Sequence, residues 1–393
     1  MNLDEQLEQK IDRTKWSSHK FSDFVENISE KIKPAESGLE HYIGLAHLDS
    51  GSLKIRRFGN PKDISGDKLK IYKGDLIFAK RNAYLKRVAI ADFDAVASAH
   101  SMVLRAKTDV VLKEFLPFFM LSEIFWEKAI EISVGSLSPT INWRSLAKQE
   151  FLLPPKDQQA KLAELLWAAD HAMCKNSELH AASISNGCAL LKQTFYQVKT
   201  SKNESCLGEV GSWSSGGTPS KKNKNYWENG SIPWISPKDS YGAVIKSTRD
   251  NITQEAVGSN RTKLFPSGAF FLVWRSGILK HTLPVCQFVG PAFAVNQDLK
   301  VFAPKSDHIN SDYVRSFVST FSEDIRRSCV KQGATVESID TDSFLSFPIP
   351  LPKLKQQGEI VDLASRIDKC VSSSKVEYQS TKQILIALIN QIF

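Results

Sequence analysis

A chain of 393 residues is too long for a single hydrophobic core and suits two domains with connectors. Its 51 Lys and Arg against 43 Asp and Glu give a formal charge of +8, which permits a polyanionic partner without demanding one. Cys174, Cys188, Cys206, Cys286, Cys329 and Cys370 show no C-x-x-C spacing, which leaves zinc and redox motifs unsupported and fits packed or free thiols in a reducing cytoplasm.

The chain opens with Leu3, Leu7 and Ile11 among charges, a spacing that predicts a short amphipathic helix; residues 1–12 lack the apolar segment of a secretory signal. No apolar run anywhere is long enough to span a membrane. Trp16 to Phe24 leads into a first domain. Strand-like runs follow at Tyr42-Ile43-Gly44-Leu45, Leu53-Lys54-Ile55 and Asp75-Leu76-Ile77-Phe78-Ala79, separated by turn residues at Gly59-Asn60-Pro61 and Gly66. Glu114 to Ile132 reads as one helix carrying Phe118, Phe119, Leu121, Phe125 and Trp126. Just after the third strand comes Lys80-Arg81-Asn82-Ala83-Tyr84-Leu85-Lys86-Arg87, four cations and one Tyr, with no acid between Leu76 and Ala91. Taken alone, this is a solvated hairpin tip. As a ligand site it would meet nucleic acid, with Arg and Lys on phosphates or guanine edges and Asn82 on adenine.

The first domain closes on Leu153-Pro154-Pro155-Lys156-Asp157-Gln158-Gln159, and this stretch recurs 198 positions later as Leu351-Pro352-Lys353-Leu354-Lys355-Gln356-Gln357. Each copy opens a helical seam of 4-3-4 spacing: Leu162, Leu166, Ala169 and Met173, then Ile360, Ala364, Ile367 and Val371. The seams also close alike, in Leu190-Leu191-Lys192-Gln193-Thr194-Phe195 and Leu388-Ile389-Asn390-Gln391-Ile392-Phe393. A repeat of this length predicts domain, helix, domain, helix. His180 falls on the seam and is expected to bond across it. Gly187 reads as the weak point of the first helix, since a mid-helix Gly costs about 1 kcal/mol against Ala.

Residues 199–203 form a short polar linker. In the second domain Gly211 and Gly216 have the first spacing of a phosphate-binding loop, but Gly217 stands where that motif needs Lys. The stretch from Gly217-Thr218-Pro219-Ser220-Lys221 to Tyr226-Trp227 is basic and hydroxyl-rich, and fits either a surface loop or contact to a phosphate backbone. Asp239 matches Asp49 at an offset of 190. Gly268 to Lys280 echoes Gly74 to Lys86 at 194, placing Arg275 on Arg81 and Lys280 on Lys86. Residues 256–297 hold no acid but hold Arg261, Lys263, Arg275 and Lys280. Two basic loops at matching places in a repeat favour the nucleic-acid reading. Ser311 to Val330 reads as a helix, and Gly333-Ala334-Thr335-Val336 parallels Ser138-Pro139-Thr140-Ile141.

Catalytic machinery is missing. The acid-free window leaves Asp298-Leu299-Lys300 no upstream metal partner, so it reads as the end of a strand. Leu153-Pro154-Pro155-Lys156 has only the prolines of an adenine methyltransferase motif. No glycine-rich dinucleotide fingerprint and no H-E-x-x-H occurs. His47, His100, His180 and His281 lie far apart without matched partners.

In their order, the Leu-Pro-x-x-x-Gln-Gln closures, Gly-Gly-Thr-Pro-Ser, Ile-Pro-Trp, Lys238-Asp239, Arg275-Ser-Gly-Ile-Leu, Asn296-Gln297-Asp298-Leu299, Tyr42-Ile43-Gly44-Leu45 and Gly74-Asp75-Leu76 resemble the specificity subunit of type I restriction–modification systems. The first domain lacks the Gly-Thr-Pro-Ser loop, and both closures carry Gln-Gln in place of the Glu-Gln often seen in the family. The resemblance implies an α+β fold: two similar mixed α/β target-recognition domains separated by two long helices forming an antiparallel coiled coil. The segments are then residues 1–152, 153–200, 201–350 and 351–393. The implied partners are double-stranded DNA with a split site, two methyltransferase subunits and restriction motor-nuclease subunits. No cofactor is implied in this chain; S-adenosylmethionine, ATP and Mg belong to the partners. A helix from Asp157 to Phe195 would span roughly 58 Å, against roughly 34–36 Å for one turn of B-DNA.

The DNA-binding candidates are Lys80, Arg81, Asn82, Tyr84, Lys86 and Arg87, then Thr218, Ser220, Lys221, Lys238, Trp274, Arg275, Lys280 and Gln297. Those for the spacer helices and partner contact are Pro154, Gln158, Gln159, Leu162, Leu166, Pro352, Gln356, Gln357, Ile360 and Ile367. Two rivals stay open: a self-contained restriction or methyltransferase enzyme, and a DNA-binding regulator without enzyme partners.

Overall fold

The central strand of the first sheet, Leu76–Ala79, is buried at all four positions because both its faces are covered. Leu76 and Phe78 face the aromatic core, where Phe78 stacks on Trp126; Ile77 and Ala79 face a second sheet. This computed structural model describes residue 11 and residues 13–199, 203–258, 262–331, 333 and 336–393. The predicted opening helix at Leu3 and Leu7 lies outside the described residues, as do Arg261, Ala334 and Thr335. The chain forms two compact units, 1–179 with 375–393 and 180–374, so each unit takes part of both long helices. The four sequence segments follow the chain in order, whereas these units cut across the helices.

The first unit holds two four-stranded sheets. One is antiparallel, in the order Val25–Ile28, Ser101–Ala106, Leu76–Ala79, Val88–Ile90. The other runs Lys31–Ile32, Lys68–Ile71, Ala95–Ala97, Tyr42–Ile43, with its last pair parallel. The second unit repeats the plan. Its five-stranded sheet runs Gly211–Ser214, Leu299–Pro304, Phe270–Val273, Val285–Phe288, Val244–Ile245. Its four-stranded sheet runs Asp250–Ile252, Ile232–Ile235, Phe293–Val295, Leu264–Phe265. The parallel pair Tyr42 with Val96 recurs as Trp234 with Ala294.

Strand pairing fixes the register of the repeat. Ser18 with Leu152 recurs as Glu204 with Pro350, giving offsets of 186 and 198. Tyr42 maps to Trp234 at 192 and Ala79 to Val273 at 194, while Ser101 maps to Leu299 at 198. This register corrects two sequence alignments. Asp239 corresponds to His47 rather than Asp49: each accepts from the backbone N–H opening its short helical turn, Ser236 to Asp239 Oδ2 at 2.9 Å and Gly44 to His47 Nδ1 at 3.0 Å. Thr140-Ile141 corresponds to Ser338-Ile339 rather than to Thr335-Val336. Ile141 N–H donates to Lys80 O as Ile339 N–H donates to Trp274 O.

Other elements differ locally from the sequence reading. Residues 114–132 form two helices, Leu116–Phe119 and Glu123–Glu131, because Ser122 caps the second by accepting from Phe125 N–H at 3.3 Å. Residues 311–330 likewise divide into Ser311–Thr320 and Ser322–Cys329. Leu53-Lys54-Ile55 forms no strand, although Leu53 O accepts from Ile90 N–H at 2.9 Å. Asp298 stands in the turn before its strand rather than at a strand end.

The long helices are α1, Lys156–Val198, and α2, Leu354–Ile392. Within the second unit they run antiparallel: His180 Nδ1 meets Ser374 Oγ at 3.1 Å, as its seam position predicted, and Gly187 faces Ile367. In the first unit Leu162, Leu166 and Met173 share one core with Leu385, Leu388 and Ile392. Gln159 and Gln357 bolt the helices to their domains. Gln159 Oε1 accepts from Leu112 N–H (2.8 Å), and its Nε2 donates to Val110 O (3.0 Å) and Pro154 O (2.9 Å). Gln357 repeats all three, with Asn310 N–H (2.9 Å), His308 O (3.0 Å) and Pro352 O (2.8 Å).

Pro154, Gln159, Leu162, Leu166, Pro352, Gln357 and Ile360 are buried inside their own units, where their side chains dock the helices. Gln158 is held by Trp16 Nε1 at 3.1 Å, Ile367 packs at Gly187, and Gln356 is exposed.

Candidate nucleic-acid interface

In each unit the buried central strand runs out into the basic loop, and backbone bonds clamp that loop. In the first, Lys80 O accepts from Ile141 N–H (2.8 Å), Arg81 bridges Thr140, and Asn82 N–H donates to Pro139 O (2.8 Å). The tip is one helical turn, Ala83–Leu85, with left-handed residues at both ends, Asn82 at φ 56° and Lys86 at φ 47°. Such conformations in non-glycine residues persist only where the surroundings impose them. Buried Ala83 anchors the turn, which leaves Tyr84 58% exposed and Leu85 beside it in solvent. An aromatic ring between cations at a fixed tip suits a nucleic-acid surface.

The six first-domain candidates are not equivalent. Lys80 has no ion-pair partner among the described residues. Arg81 Nη1 stands 3.5 Å from His100 Nε2. His100 is held below the usual histidine range by burial first, then by the Arg81, Lys80 and Lys68 cations, which marks an electropositive corner. Lys86 pairs with Glu123. Arg87 is half-buried; its Nη1 donates to Leu45 O at 2.7 Å, which ties it to the domain, and burial lowers its pKa. Asn82 Oδ1 is buried and has no hydrogen-bond partner among the described residues.

The second unit has the same clamp, with Ile339 N–H on Trp274 O (2.9 Å) and Arg275 bridging Ser338. Arg275 Nε and Nη2 both meet Asp298 Oδ1, at 2.8 and 2.7 Å. Asp298 Oδ2 accepts from Asn296 Nδ2 (3.0 Å) and Gln297 Nε2 (3.4 Å), and Gln297 Oε1 accepts from Thr218 Oγ1 (2.7 Å). The structure thus brings Thr218, Arg275 and Gln297 together. Ser220, Lys221, Lys238 and Lys280 are exposed, and Lys221 lies over the Trp227 ring at 5.7 Å. Trp274 is corrected as a DNA contact: it is buried edge-on against Phe344 (4.9 Å) and beneath Lys300 Nζ (3.8 Å).

The glycines of the Thr218 loop answer to packing rather than to a nucleotide. A Cβ on Gly211 would lie 2.0 Å from Phe302 Cε2, and one on Gly216 would lie 1.9 Å from Val295 O. Close approach to the sheet therefore requires glycine at both. Sequence reasoning missed His100 and Asp298. The repeat carried their signal, because 81 and 100 map onto 275 and 298 in the register set by strand pairing. Among the described residues no group of three His, Cys, Asp or Glu is placed to hold a metal, and no helix is long and apolar enough to cross a membrane.

Comparison with known proteins follows the same two-part division. The family described as "Type I restriction modification DNA specificity domain" matches residues 28–178 and again 200–383. The specificity subunit of the type I restriction enzyme EcoR124I/EcoR124II of Escherichia coli is 42% identical over 167 residues, covering 42% of this chain and 41% of that protein. The MjaIX specificity subunit of Methanocaldococcus jannaschii is 27% identical over 196 residues, covering 48% of this chain and 42% of that protein. The matches thus span about two fifths of these curated relatives. A solved chain from work on assembly and conformational transition of the type I R-M system shares the fold, with a TM-score of 0.60 at 18% identity, covering 95% of this chain and 96% of that one. The type I restriction-modification S subunit from M. genitalium does so at 0.55 and 14%, covering 96% of each chain. With both halves matched over most of their length, the chain belongs to the type I restriction modification DNA specificity domain family and carries that domain twice.

Proposed function

We propose that this chain is the non-catalytic, sequence-specific DNA-binding subunit of a type I restriction–modification complex. Each domain reads one half of a split duplex site. Methyltransferase subunits carrying S-adenosylmethionine, and motor-nuclease subunits using ATP and Mg, assemble on it in the cytoplasm. One observation carries this reading: two basic loops, clamped to the same backbone partners, occupy the same place in two copies of one fold. A site repeated in this way suits a ligand that is itself repetitive and polyanionic.

The test is methyl transfer from labelled S-adenosylmethionine to duplex DNA, using the purified chain alone and with its methyltransferase subunit. The expected result is methylation of adenine at a split motif only when both are present. Turnover by the lone chain would make it a self-contained enzyme. DNA binding without any co-purifying methyltransferase would make it a regulator.

A further inference from the structure

The two arginines that head the basic loops are equivalent by register, yet their neighbours differ in sign. Arg81 faces His100 across the turn after Ala95–Ala97. Arg275 faces Asp298 across the turn after Phe293–Val295. The pairing of Ala79 with Ser101 and of Val273 with Leu299 puts residues 100 and 298 at one position of the fold. The preceding position also differs: Ala99 in the first domain, Gln297 in the second.

A guanidinium has five N–H donors in a fixed plane. In Arg275, Nε–H and one donor on Nη2 converge on Asp298 Oδ1. Among the described residues, both donors of Nη1 and the second of Nη2 have no partner, on a side chain 54% exposed. The carboxylate is itself fixed, because Oδ2 is occupied by the amides of Asn296 and Gln297. Gln297 is tied in turn to Thr218 at 2.7 Å. The plane of Arg275 is therefore set from behind, and much of its charge is met by Asp298. A cation that serves phosphate needs charge and tolerates motion. A side chain that reads guanine O6 and N7 needs a fixed plane. Arg81, beside a histidine and near Lys80 and Lys68, has the charge without the carboxylate.

We infer that Asp298 is the specificity-determining positioning residue of the second domain, holding Arg275 as a fixed reader of guanine with Gln297 beside it, while Arg81 in the first domain serves the phosphate backbone. This inference rests on the DNA-binding function proposed above. It predicts that the two half-sites are read by different chemistry despite the shared fold.

The experiment uses the full chain assembled with its methyltransferase. The probe is a duplex carrying the motif found methylated in host DNA, plus duplexes with each motif base pair changed in turn. Asp298→Asn removes the charge and keeps the shape. Arg275→Lys keeps the charge and removes the planar fork, and it gives an independent arm if Asp298→Asn does not fold by circular dichroism. Either variant is expected to lose about 5- to 150-fold discrimination at a G·C pair of one half-site, with the other half-site untouched. The log–log salt slope on the motif is expected not to fall. Equal weakening on every duplex would reduce Asp298 to a structural residue and overturn the inference. Full discrimination in both variants would overturn it as well, while leaving the DNA-binding function standing. A wild-type complex that binds no duplex overturns both.

Discussion

Asp170 in α1 is an acid placed where water is scarce. It is 6% exposed, and burial raises its pKa above the ordinary carboxylate value, opposed by His171, by the Cys174 thiol 3.9 Å away, and by Arg56 and Lys54. A folded-state value above the unfolded one means that folding disfavours the ionised form. The resulting loss of stability is complete above the folded value and disappears as pH falls through it toward the unfolded value of about 3.9. Asp170→Asn should therefore stabilise the protein at pH 7 by about 0.5–2 kcal/mol, with the gain fading on acidification. Thermal unfolding across that range checks it, and a gain that grows on acidification would refute the assignment. At this scale the candidate site was only partly legible in the sequence. The acid-free windows located Arg81 and Arg275, because charge type is written in the residue. The inward turn of Arg87 and Trp274 was not legible, because which side of a loop a long side chain takes depends on carbonyls and rings distant in sequence, such as Leu45 O and Phe344.

Gly187 shows an element deciding against a residue's propensity. A Cβ there would lie 2.5 Å from Ile367 Cγ2, on the helix that packs against it. Isoleucine is stiff at its branch and yields little. Gly187→Ala should gain about 1 kcal/mol of helix propensity and lose about 1–3 kcal/mol to overpacking, for a net destabilisation. Urea unfolding of Gly187→Ala, Ile367→Ala and the double variant tests it. The double variant should be less damaged than the sum of the singles, and additive effects would show that the two residues do not meet. The helix seams themselves were legible, because 4-3-4 apolar spacing has one geometric meaning. The role of the repeated Gln was not. An exposed helical polar residue and a buried bolt such as Gln159 look alike until the carbonyls of Val110 and Pro154 come into view.

Across the whole molecule the excess of positive charge is modest, at +8, so DNA affinity should depend on where the cations stand. Removing Lys80, Arg81 and Lys280 together should flatten the log–log salt dependence of duplex binding by about 0.9 for each phosphate no longer neutralised. Lys86→Ala should flatten it less, because Glu123 already partners that lysine. Binding titrations across a salt series measure both, and an unchanged slope in the triple variant would remove the basic loops from the interface. The two-domain plan was legible because a repeat of this length survives as spacing, but its exact register was not. The offsets explain why. From 186 at the first strand they rise to 192, 194 and then 198 by Leu299, and they still stand at 198 where Leu152 maps to Pro350. Taken as ancestry, the two halves are a duplication whose descendants have drifted unequally. All the net change in length has accumulated ahead of the strand that starts at Ser101 or Leu299, on the side that carries the clamped loops. From that strand to the helix bolts the copies have kept step. The reading side has changed its length between the copies, and the docking side has the same count in both.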